Sequence, residues 1–307
     1  MTITTRPIAL TIGVFDGLHR GHQAVIAETV RAARERSGAA WVATFDPHPE
    51  TVVRGSAPRP WITPPAERAG LLHGMGVDRV EIVRFDSQIQ ALSPEGFLDR
   101  VLGQGAPLKI LLLGADFRMG RDRVGDCRYL ETLGRSRGFE VREVPLIRGE
   151  GGKLSSTALR QEITAGRVDR AAEILGRPYA LEGRIGSGAG RGTGLGYPTA
   201  NLEIHPAKLL PSPGIYLSHN DLGGGEQWPG ITYVGSASTF GPGPMRVEVY
   251  LLDFSGSLRG RELKTMLISQ LRADEVFSSA DELVKAMERD LARARAYWAG
   301  AGPTSRR

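Results

Sequence analysis

Short apolar runs alternate with helix-period segments through the first half of the chain. The runs fall at residues 8–12, 41–45, 80–85, 110–113 and 139–144. A helix is predicted from about His22, with Val25, Ile26, Val30 and Ala33 on one side. Another opens at Ser93-Pro94-Glu95, where serine serves as cap and proline takes the first helical position. Such alternation predicts a parallel sheet covered by helices on both faces. Near 166–178 the pattern changes. Segments at 181–185, 199–202, 214–218, 231–235, 246–254 and 262–271 are short and separated by Gly- and Pro-rich turns, which predicts an antiparallel barrel. A closing helix over 279–298 aligns Leu283, Met287, Leu291, Ala294 and Trp298, a stripe suited to core packing. The chain therefore reads as two domains, 1–176 and 177–300, followed by a frayed tail at 301–307.

In an open α/β sheet, ligands bind beyond the carboxyl ends of the strands, so the polar residues after each apolar run are the chemical candidates. The first run leads into Gly13-Val14-Phe15-Asp16-Gly17-Leu18-His19-Arg20-Gly21-His22. Glycines at a strand-to-helix turn let the backbone approach a polyphosphate, and the helix start offers free N–H groups and a positive dipole end. His19 and His22 add hydrogen-bond donors, taking the place of lysine in the P-loop, whose Gly-Lys-Ser/Thr is absent. Later runs end at Thr44-Phe45-Asp46-Pro47-His48-Pro49, at Gly114-Ala115-Asp116-Phe117, and at Leu154-Ser155-Ser156-Thr157, which opens a helix carrying Arg160. Taken singly, Ser155-Ser156 also suits a helix cap, Asp116 a turn and His48 a rigid loop.

Length and composition narrow the class. A chain of 307 residues can bury two cores, and 41% hydrophobic with 24% charged residues is ordinary globular usage. The net charge of +5 suits anionic ligands, but basic residues interleaved with aromatic platforms are absent, so no nucleic-acid partner is expected. Cys127 is the only cysteine, which excludes an intrachain disulfide and a thiolate metal cluster and fits a reducing compartment. With no membrane-length apolar run and no signal-peptide pattern, a cytoplasmic enzyme without a membrane partner is the expectation.

As a set, these motifs, with Gly125-Asp126, resemble the bacterial bifunctional FAD synthetase family, in which riboflavin kinase and FMN adenylyltransferase share a chain. The resemblance implies a Rossmann-like α/β nucleotidyltransferase domain followed by a six-stranded antiparallel flavokinase-like β-barrel with a C-terminal helix. The first domain would join FMN to ATP, giving FAD and pyrophosphate. Its implied catalytic residues are His19 and His22, which suit the nucleotide phosphates, its nucleotide positions Gly13, Phe15, Asp16, Gly17, Gly21, Gly114, Asp116, Phe117, Ser155, Ser156, Thr157 and Arg160, and its flavin positions Phe45, Pro47 and His48.

In the second half the resemblance rests on the glycine flap Gly190-Arg191-Gly192-Thr193-Gly194-Leu195-Gly196, on Tyr197-Pro198-Thr199-Ala200-Asn201 and on Glu248. It implies ATP binding at Gly190, Arg191 and Gly196, Mg²⁺ held by Thr199 and Asn201, Glu248 as the base that activates riboflavin, and Arg272 at the flavin. The chain departs from the family pattern at Gly235-Ser236-Ala237-Ser238-Thr239-Phe240, where the family usually reads Gly-x-Arg-Pro-Thr-Phe. That departure leaves two further readings open: FMN adenylyltransferase alone with a weakened barrel, or a non-catalytic flavin-binding regulator. Riboflavin, FMN and ATP are the expected small-molecule partners, and no obligate protein partner is implied.

Overall fold

The central strands of the first half are near-continuous apolar runs because the sheet they form is covered on both sides. In a computed structural model, which describes residues 5–103, 106–145, 148–149, 152–186, 199–236 and 244–300, the chain divides into two units, Met1–Ser156 and Thr157–Arg307. The first contains β1 (Ile8–Ile12), α1 (Arg20–Glu35), β2 (Ala39–Asp46), α2 (Pro49–Arg54), α3 (Pro65–Gly74), β3 (Arg79–Arg84), α4 (Ser87–Gln90), α5 (Pro94–Leu102), β4 (Leu108–Gly114), α6 (Cys127–Arg137), β5 (Glu140–Val144) and a small hairpin of β6 (Arg148–Gly149) and β7 (Gly152–Lys153). The five main strands are parallel in the order β3-β2-β1-β4-β5. The chain winds outward from β1 to β3, then crosses back to place β4 on the other side of β1. A crevice at the carboxyl ends of β1 and β4 follows from that reversal of direction.

Alternate residues of β1 feed two cores. Ile8, Leu10 and Ile12 join Phe97, Leu98, Val101 and Leu130 from α5 and α6, whereas Ala9 joins Val25, Ala32 and Ala33 from α1. The local signals act as the sequence predicts. Ser93 Oγ accepts from the Gly96 N–H at 3.2 Å to cap α5, and the sheet strands lie within two residues of the predicted runs.

The second unit begins with α7 (Ser156–Thr164), whose first residue closes the first unit, and α8 (Val168–Leu175). It continues with β8 (Tyr179–Ile185), β9 (Ala200–Ile204), β10 (Gly214–Asp221), β11 (Gln227–Gly235), β12 (Arg246–Leu251), β13 (Glu262–Ala273) and α9 (Ala280–Gly300). The strands close into a six-stranded barrel in the order β10-β11-β12-β9-β8-β13, with antiparallel pairing throughout. Leu291, Ala294 and Trp298 of α9 pack on Leu217, Ile231 and Tyr250, so the helical stripe covers the outer wall of the barrel. Among the described residues no helix is long and apolar enough to cross a membrane.

Candidate active sites

The turn after β1 is shaped by two core anchors. Phe15 and Leu18 have left-handed φ values of 51° and 48°, an unfavourable conformation for residues with a Cβ, and both are buried. Sinking those side chains into the core lifts the backbone between them and delivers His19 to the start of α1. There His19 Nδ1 accepts from the His22 N–H at 3.3 Å. With Nδ1 occupied as an acceptor, the proton of neutral His19 resides on Nε2, which is then a donor. The His19 and His22 rings stack with centroids 3.7 Å apart, and the Phe15 ring meets His22 edge-on at 5.3 Å. Gly13 must lack a side chain, because a Cβ there would lie 2.8 Å from Phe15 Cζ.

A buried polar brace holds this turn from behind. Asp16 accepts from the Thr63 N–H at 3.0 Å, Thr63 Oγ1 accepts from the Gly17 N–H at 2.9 Å, and the Ser156 hydroxyl donates to the Asp16 carbonyl at 2.8 Å. Arg68 of α3 is fully buried. Its guanidinium donates to the carbonyls of Val14 and Phe45, both at 2.8 Å, and lies 4.6 Å from the Trp61 ring centroid. One side chain thus ties the loop that follows β1 to the carboxyl end of β2. Nothing in the sequence pattern singles out Arg68 or Thr63, since an arginine on a short helix is ordinarily solvated.

The turn forms one wall of a cavity of about 300 Å³ at the carboxyl ends of β1 and β4. Gly13, Phe15, His19, Gly21 and His22 line it from β1 and α1, Gly114, Asp116 and Phe117 from β4, and Ser155 and Ser156 from the start of α7. Thr157 and Arg160 continue along α7 in the second unit. The three expected flavin positions are not among the cavity residues. Phe45 is buried against Phe85 and Phe97, Pro47 follows β2 across a cis peptide bond, and His48 caps α2 by accepting from the Glu50 N–H at 3.1 Å. His48 and Arg68 both lie against Trp61.

Burial sets the charge state of this site. Desolvation lowers the His19 pKa to about 4, and it drives His22 well below its usual value with further repulsion from His19 and Arg68. Both imidazoles are therefore neutral at pH 7. Arg68 is lowered to about 10 by burial, opposed by Asp16 and Asp46, so it stays charged. An anion placed on the two rings would favour their protonation, which couples phosphate binding to proton uptake.

In the second unit, Thr199 Oγ1 donates to Glu248 Oε2 at 3.1 Å, and Asn201 stands directly opposite Glu248 in the β9–β12 ladder. On β12, Val247, Val249 and Leu251 are buried while Arg246, Glu248 and Tyr250 are half-buried, so Glu248 shares its face of the sheet with Tyr250, which packs under α9. The same row continues across the barrel wall. Glu248 pairs with Tyr233, Tyr233 with Ile215, and Ile215 with Arg272. Tyr233 donates its hydroxyl to Asp274 at 3.2 Å. Arg272 is held by buried Asp290 of α9, with Nη2 2.9 Å and Nε 3.0 Å from Oδ2. The Thr199 hydroxyl and the Asn201 amide, beside Glu248, are oxygen donors of the kind that suits a hard divalent cation with few protein ligands. No cluster of three His, Cys, Asp or Glu side chains that could hold a metal occurs among the described residues. Gly190, Arg191 and Gly196 of the predicted flap, residues 237–240 of the departing segment and the 301–307 tail lie outside the described residues.

Comparison with known proteins gives the two halves separate matches. A model of the FAD synthetase family matches residues 2–158, and a model of the riboflavin kinase family matches residues 175–298. A bifunctional riboflavin kinase/FMN adenylyltransferase of Pseudomonas fluorescens is 37% identical over 98% of this chain and 96% of its own length. The protein of the same description from Escherichia coli K12 is 35% identical over 94% of this chain and 92% of its length. A crystal structure from Streptococcus pneumoniae described as a macrolide-efflux protein superposes with a TM-score of 0.82 at 29% identity, covering 95% of each chain.

Proposed function

The chain belongs to the bifunctional riboflavin kinase/FMN adenylyltransferase family, and from that membership we propose that it makes FAD in two steps, each carried out by one of its two units. The barrel unit phosphorylates riboflavin to FMN with ATP. The α/β unit then transfers the adenylyl group of a second ATP to FMN and releases pyrophosphate. The observation that carries the second step is the single cavity into which β1, β4 and the start of α7 bring His19, His22, Asp116, Ser155 and Ser156.

In adenylyl transfer, an oxygen of the FMN phosphate attacks the α-phosphorus of ATP in line, and the bond to the pyrophosphate oxygen breaks. The protein's work is to position two anions and stabilise the charge on the leaving group. The His19 Nε2–H and the N–H groups at the start of α1 supply donors on one side, and the Ser155 hydroxyl supplies one on the other, while the Ser156 hydroxyl is held by the Asp16 carbonyl. The Asp16–Thr63 brace and the Arg68 clamp keep the histidine turn in register while charge moves.

In the barrel, Glu248 accepts the proton of the terminal ribityl hydroxyl as that oxygen attacks the γ-phosphorus of ATP. Thr199 and Asn201, beside Glu248, would hold Mg²⁺, which when bound neutralises charge on the ATP phosphates. Arg272, fixed by Asp290, offers a guanidinium at the far end of the same cross-strand row, where the flavin would lie. The test is chromatography of products from the purified chain with Mg²⁺ and ATP. Riboflavin should yield FMN and FAD, and FMN alone should yield FAD. Turnover only from supplied FMN would reduce the chain to an adenylyltransferase, and flavin binding without turnover would make it a regulator.

A further inference from the structure

One polar group in the adenylyl-transfer cavity is left unused by this mechanism. Thr11, on β1, is completely buried, and its hydroxyl has no hydrogen-bond partner. The other buried threonines of the unit are all engaged. Thr29 donates to the Val25 carbonyl and Thr44 to the Val14 carbonyl, both at 2.8 Å, and Thr63 accepts from the Gly17 N–H at 2.9 Å. A buried hydroxyl without a partner carries a desolvation cost that nothing in the protein offsets.

Packing does not account for a threonine at this position. By strand alternation Thr11 shares its face of β1 with Ala9, whose neighbours Val25, Ile110 and Val144 are apolar. Valine has the same shape, a higher strand preference and no hydroxyl to desolvate. Thr11 also lines the cavity at the carboxyl ends of β1 and β4, together with Val25 and Val144. His22, lining the same space, has a second buried polar atom without a partner, Nδ1. Two residues that line one cavity, each carrying a buried polar atom without a partner, mark a place where a ligand completes the hydrogen bonding.

We propose that Thr11 is an ATP-binding residue of the adenylyl-transfer site, its hydroxyl forming a hydrogen bond to the bound nucleotide from the buried floor of the cavity. The inference rests on the adenylyltransferase reading above. The price is a less stable protein before ATP arrives, recovered when the nucleotide binds.

Two substitutions separate the hydroxyl from the shape of the side chain. Thr11→Val keeps the shape and removes the hydroxyl. Its melting temperature without nucleotide should equal or exceed that of the parent, while the KM for ATP in FAD formation from supplied FMN rises about three- to tenfold, the worth of one neutral hydrogen bond. The KM for FMN should stay unchanged. Thr11→Ser keeps the hydroxyl and loses a methyl group, so it should melt lower yet retain the parental KM for ATP. The inference is overturned if Thr11→Val leaves the KM for ATP unaltered, if Thr11→Ser raises it as much as Thr11→Val, or if Thr11→Val melts well below the parent. A parent chain that forms no FAD from FMN and ATP would instead refute the underlying reading.

Discussion

Replacing His19 with asparagine should flatten the acid dependence of stability in the α/β unit. Burial holds the folded His19 pKa at about 4, against 6.5 for an exposed imidazole. As pH falls through 6.5 the unfolded chain takes up a proton that the folded chain refuses until about pH 4. The contribution of this residue is therefore fully present above about pH 6.5 and is lost progressively as the solution is acidified towards 4. At about 1.36 kcal/mol per pH unit, the loss from His19 alone between about pH 7 and pH 5 is about 2 kcal/mol. Asparagine is a suitable probe because it is a good N-cap, so it can replace the bond that His19 Nδ1 accepts from the His22 N–H without introducing a titrating group. His22 is lowered in the same direction chiefly by burial, which both proteins share, and the substitution removes only the smaller repulsion from His19.

Hydrogen exchange of peptides from β1 and β2 reports the opening free energy of this unit separately from the barrel. Measured at pH 7 and pH 5 and corrected for intrinsic exchange, the parent should lose about 2 kcal/mol more than His19→Asn. Equal losses would mean that His19 titrates as an exposed residue and that the stacked pair does not enforce neutrality.

Arg68→Met should destabilise the α/β unit by about 3 kcal/mol, because the Val14 and Phe45 carbonyls would lose their buried donor. FAD formation from supplied FMN should fall further than riboflavin phosphorylation, as read by parallel product assays and a thermal melt. Asp290→Asn should cost the barrel about 3 kcal/mol by removing the buried anion of Arg272 and leaving only the exposed Glu275 near it, and it should lower riboflavin phosphorylation while FAD formation from supplied FMN persists.

Much of this architecture is legible in the order of residues. Continuous apolar runs between amphipathic helices specify a doubly covered sheet, and Gly13 to His22 marks both the end of β1 and the start of α1. Glu248 and Asn201 are 47 positions apart in the chain, yet each stands beside a motif residue, so the resemblance names both before the ladder pairs them. Long-range polar contacts are less visible. Arg68 reaches carbonyls 54 and 23 positions away, and backbone acceptors carry no side-chain identity that a pattern could register. Asp290 sits on a helix rich in charged residues, and only the crossing of α9 with the end of β13 selects it as the partner of Arg272. Phe45 lies in a strand buried at every residue but its last and packs against Phe85 and Phe97, contacts that the order of residues does not show.

The central claim is that two chemistries reside on two units, and product analysis of His22→Ala and Glu248→Gln tests it most directly. Supplied with riboflavin, Mg²⁺ and ATP, His22→Ala should accumulate FMN and form little FAD. Glu248→Gln should form almost no FMN from riboflavin, yet convert supplied FMN to FAD at close to the parental rate. Loss of both activities in either folded variant would contradict the partition.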